Sequence, residues 1–76
     1  MNKARRKTLA EAMDLLYRAK DIMEEVRDEE EEAFSNIPEN LEGSDRYMAA
    51  EETLDTINEA FDTLEEMLEN LEEVVG

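Results

Sequence analysis

The chain has no cysteine and no histidine, and only one proline, two glycines and four aromatic residues among its 76. Each shortage excludes something. Without cysteine there is no disulfide and no thiolate chemistry, which suits a reducing cytoplasm. Without histidine, the commonest general base and the commonest metal ligand are both missing. The longest apolar run is four residues, Tyr47 to Ala50, so no segment is expected to span a membrane. The start, MNKARRK, is basic but leads into no apolar signal core. Positive charge is scarce as well: eight Lys and Arg stand against 23 Asp and Glu, for a net charge of −15. Phosphate backbones and anionic lipid demand a cationic face, so neither nucleic acid nor a membrane is an expected partner. A basic protein surface is the electrostatic complement.

What is present is helical periodicity. With Tyr47 at heptad position a, the a positions are Tyr47, Leu54, Phe61, Leu68 and Val75, and the d positions are Ala50, Ile57, Leu64 and Leu71. All nine are apolar, and Ala60, Met67 and Val74 extend the stripe at g. Such a wide face suits a helical bundle better than a two-stranded seam. The first half repeats this more loosely. Leu9, Leu16 and Met23 recur at one position, Ala12, Ala19 and Val26 at the other, with Leu15 and Ile22 widening the stripe. The pattern fades in the acidic run Asp28 to Glu32 and resumes at Ala33 and Phe34. The expectation is one all-α domain over 1–76: helix 3–34, corner 35–43, helix 44–75. These form an antiparallel hairpin, and two copies form a homodimeric four-helix bundle, because one facing helix cannot cover so broad a stripe.

The corner is read residue by residue. Pro38 ends the first helix, since it lacks a donor and disfavours helix at Ile37. The segment PENLE can make one short turn with Pro38 leading, and Gly43 can stop it. Ser44 is then an N-cap, with Asp45 at the positive end of the second helix. Phe34, Ile37 and Leu41 are expected to fold back and plug the end of the core. The basic cluster Lys3, Arg5, Arg6 and Lys7 is expected to pair with the acidic tail of the second helix.

Little here points to catalysis. Ser35 and Ser44 have no histidine partner for nucleophilic attack. The run Asp28 to Glu32 lacks the alternating ligands and central glycine of a calcium loop, and a bundle di-metal site needs Glu-x-x-His motifs. Neither enzyme activity nor a cofactor or metal is expected. The five methionines read as core filler, with Met48 the one candidate for exposure.

At N-I-P-E-N-L-E-G-S-D-R, carried by Asn36, Ile37, Pro38, Glu39, Leu41, Ser44 and Arg46, the chain resembles small acidic two-helix proteins of phages and mobile elements of Gram-positive bacteria. These share an N-[I/M]-P-E-x-L-x-x-S-x-R corner. The resemblance implies a mobile-element setting in a bacterial cytoplasm and no active-site residue. The functional expectation is an acidic protein-interaction module that uses Glu52, Asp55, Glu59, Asp62, Glu66, Glu69 and Glu73. Three alternatives remain open: a nucleic-acid-mimicking inhibitor of a host defence protein, of the anti-restriction or anti-CRISPR type; an antitoxin-like cap for a basic toxin; or a merely solvated acidic face.

Overall fold

The computed structural model describes all residues from Met1 to Gly76. Two long helices, α1 (Lys3–Ser35) and α2 (Asp45–Val75), pack against each other as a hairpin and are joined by one 3-10 turn at Glu39–Leu41. The sequence provides each boundary with a hydrogen-bond partner. Asn2 Oδ1 accepts from the Arg5 amide at 2.8 Å, and Ser44 Oγ accepts from the Tyr47 amide at 3.2 Å, so both helices start on a side-chain cap. At the end of α1, Asn36 N–H donates to Glu32 O and Ile37 N–H to Phe34 O before Pro38 stops the ladder. The short turn closes with Leu41 N–H on Pro38 O and Glu42 N–H on Glu39 O. Gly43 has φ +81°, a left-handed conformation that any side chain would strain.

The inner seam of α2 follows its heptads. Leu54, Phe61, Leu64 and Leu68 are buried, with Ile57, Leu71 and Val75 half-buried beside them. The seam of α1 differs from the expected one. Beside Leu9, Leu16 and Met23, the second inward row is Met13, Lys20, Arg27 and Phe34; of the expected Ala12, Ala19 and Val26, only Ala19 is half-buried. Met13 packs with Leu64 and Leu68, while Lys20 and Arg27 lie over the ring of Phe61. Leu15, Ile22 and Val26 are left outside, at 69%, 53% and 43% exposure. The physical reason is that Lys and Arg carry long apolar stems, and their charged heads can reach water from a seam position. A pattern of apolar letters cannot register that.

At the corner, the rings of Phe34 and Tyr47 meet with centroids 4.8 Å apart. Phe34 and Ile37 are half-buried there; Leu41, at 40% exposure, does not join them in capping the core. The result is a rod of 59 × 15 × 14 Å in Cα extents. Its Cα radius of gyration is 17.3 Å, where a compact chain of this length has about 11 Å. Only five residues are buried, and none completely, so the core is a single seam rather than an interior. No helix is long and apolar enough to cross a membrane.

Candidate interaction surface

Around α2, the heptad sorts residues by chemistry. Every acidic residue after Tyr47 falls at b, e or f. The expected partner-binding residues Glu52, Asp55, Glu59, Asp62, Glu66, Glu69 and Glu73 occupy b and f alternately, at spacings of three and four, and all seven are exposed. They form one straight row on the side of α2 turned away from α1. Between the first and last, the helix rises about 32 Å. Including Glu51, Glu65 and Glu72, ten carboxylates occupy about 33 Å, or one per ~3.3 Å of axis. A single strand of duplex DNA has about one phosphate per 3.4 Å.

None of the seven is neutralised within the chain. The hairpin holds two ion pairs, Lys20 Nζ to Glu65 Oε2 at 3.6 Å and Arg27 Nη2 to Asp28 Oδ1 at 3.7 Å, and neither reaches the row. Neighbouring carboxylates three and four residues apart therefore repel along its length, and each such pair costs an isolated helix about 0.2–0.5 kcal/mol. The row is a charged feature that the fold bears without internal compensation.

The edge facing α1 is treated differently. Tyr17 Oη donates a hydrogen bond to Glu72 Oε1, so one carboxylate of the tail is tied across the seam. That bond, then desolvation, then the neighbouring negative charge raise the phenol above its ordinary pKa of 10.0. The expected pairing of the basic cluster does not form. Lys3, Arg5, Arg6 and Lys7 are exposed and make no ion pair. Geometry explains this. Val75, the last residue of α2, packs at the level of the Met13 cluster, and continuing the heptad register sets Leu9 beside it. Lys3 then lies about 9 Å of helix beyond the end of its neighbour. The cations overhang, with no carboxylate row beside them.

Two shallow depressions lie on the first half of α2. One, of about 390 Å³, is lined by Ala49, Glu52, Thr53, Thr56 and Ile57; the other, of about 310 Å³, by Met48, Glu51, Glu52 and Asp55. Met48 is 60% exposed at the rim of the second, beside three carboxylates; Met1 and Met67, expected as core filler, are exposed too, at 57% and 40%. No three acidic side chains converge as a metal-ligand group.

Sequence reasoning missed the overhang, because it follows from the register between helices. It also missed the neutral stripe of α2. Positions c and g after Tyr47 hold Ala, Thr, Met, Val and Asn and not one charge. That signal was present in the spacing of the acids themselves. No protein-family model, curated protein or solved structure matches the chain.

Proposed function

We propose that this chain is a non-enzymatic helical interaction module. Its hairpin pairs with a second copy into an antiparallel four-helix bundle, and its acidic row docks on the basic surface of another protein. The observation that carries this reading is the row Glu52 to Glu73: seven exposed carboxylates in one line, each left without a cation. A partner presenting Lys and Arg at similar spacing relieves that repulsion and gains fast, salt-sensitive association. The setting implied by the corner resemblance, a mobile element in a bacterial cytoplasm, belongs to the same proposal.

A second reading is favoured by the charge spacing. Ten carboxylates at about one per 3.3 Å match the phosphates of one DNA strand closely enough for α2 to stand in for nucleic acid on a basic groove. One experiment separates the two. The tagged chain is used to capture proteins from bacterial lysate, and the captured protein is challenged with excess duplex DNA. Retention despite DNA, with loss on charge reversal at Asp62, Glu66 and Glu69, supports the interaction module. Displacement by DNA supports the inhibitor reading. Capture unaffected by the charge reversal overturns both.

A further inference from the structure

The structure leaves a second seam open on α1. Ala12, Leu15, Ala19, Ile22 and Val26 follow one another at spacings of three and four, the spacing of a helix-packing stripe, yet all but the half-buried Ala19 are exposed. Leu15 and Ile22 are more than half exposed. In the heptad frame of α1 these are the c and g positions, about 100° around the helix from the inward seam. In a four-helix bundle each helix meets two neighbours at roughly a right angle, so this is where a second neighbour belongs.

The same side of α2 agrees. In an antiparallel pair, the g edges of the two helices lie beside each other. The g edge of α2 carries Ala60, Met67 and Val74, and its c and g positions are free of charge after Tyr47, while the acids crowd b, e and f. Met67 and Val74 are exposed at 40% and 44%. One flank of the hairpin is therefore apolar or neutral from Thr8 to Val26 on α1 and after Tyr47 on α2, and the opposite flank carries Tyr17 with Glu72 and Lys20 with Glu65.

Three features identify the occupant as a second copy. The first is area. The chain exposes 5967 Å², whereas a compact monomer of its mass exposes about 4800 Å². The excess, roughly 1200 Å², exceeds the ~800 Å² per partner that a standard interface buries. The second is charge. α1 has cations at the positive end of its dipole and the run Asp28 to Glu32 near its negative end, both unfavourable in one isolated helix. An antiparallel α1 from another copy reverses each: the overhanging cations meet the partner's acidic run. The third is shape. With Leu15 set against Ala19 of the other copy and Ala12 against Ile22, each large side chain faces a small one, and the same register brings Arg5 opposite Glu29.

The geometry points to a homodimer joined through this flank, with α1 antiparallel to its copy about a two-fold axis at the height of Tyr17 along the helix. The acidic row of α2 stays outside the bundle and free for a partner. This inference rests on the proposed self-association and specifies its face and register.

The chain has no cysteine, so introduced thiols report cleanly. Chains carrying Ala12→Cys and chains carrying Ile22→Cys are mixed, refolded together and oxidised, and sedimentation equilibrium is run on the unmodified chain at micromolar concentration. Expected is a dimer by sedimentation and a covalent heterodimer from the mixture. Each variant alone should cross-link at least tenfold less, because like positions lie apart in an antiparallel pair. Ile22→Glu should keep the helical content and weaken the dimer by at least 100-fold. A sedimentation result of only the 8.8 kDa monomer overturns the self-association itself. A dimer in which the mixture does not cross-link, or in which single Ile22→Cys chains cross-link with one another, leaves self-association standing and overturns this face and register.

Discussion

Phe61 is the residue around which the inner seam is organised. It is buried, with Arg27 Cζ 4.4 Å and Lys20 Nζ 5.6 Å from its ring centroid. The ring gives both cations a negative face, and their stems cover it from solvent. Truncating Phe61 to Ala should cost about 3–5 kcal/mol, as for other core aromatics. A double-mutant cycle with Arg27→Met and Phe61→Leu should show a coupling of about 0.5–1 kcal/mol in chemical denaturation. A coupling near zero would show that Arg27 merely fills space. Tyr17 gives a pH signature. Its phenol is raised by the bond to Glu72, so the neutral form is favoured in the folded chain. That contribution is fully present below pH 10 and is lost as pH climbs through the raised value. The gap in melting temperature between the unmodified chain and Tyr17→Phe should therefore be open near pH 8 and close as pH is taken above 10.

Among the elements, the corner separates into residues that hold the hairpin and residues that merely turn the chain. Ile37 is half-buried and Leu41 is exposed. Ile37→Ala should destabilise by about 1–2 kcal/mol and Leu41→Ala by less than about 0.5. Gly43→Ala should cost about 1–2 kcal/mol despite the open space around it, because φ is +81°. Equal losses at Ile37 and Leu41 in thermal melts would contradict the division. Much of this element was legible in the sequence. Pro38, Gly43 and Ser44 each carry a local stereochemical instruction that needs no knowledge of the other helix. The α2 seam was legible too, since its a and d positions are apolar without exception. The α1 seam was not. Lys20 and Arg27 read as surface residues until Phe61 is placed beneath them, and that placement depends on the register between two distant segments. The acidic row was legible as a spacing, whereas its lack of compensation and the overhang of the cations required the assembled pair.

For the whole molecule, charge and shape act together. Net charge −15 is spread on a rod only about 15 Å across, so most carboxylates lie within a few Debye lengths of many others. With two internal ion pairs to lose, screening should relieve more repulsion than attraction. Raising salt from about 0.02 to 0.2 M should therefore increase the melting temperature and strengthen self-association. A fall in melting temperature would mean that the few cation contacts outweigh the repulsion. The hairpin topology has a mechanical corollary. Both chain ends emerge at the same end of the rod, so tension applied between them loads the layer at Leu9 and Val75 first and peels the helices apart one layer at a time. A pull of that kind meets the seam as a zipper opened from its free end, and never as a lap joint in which all layers share the load.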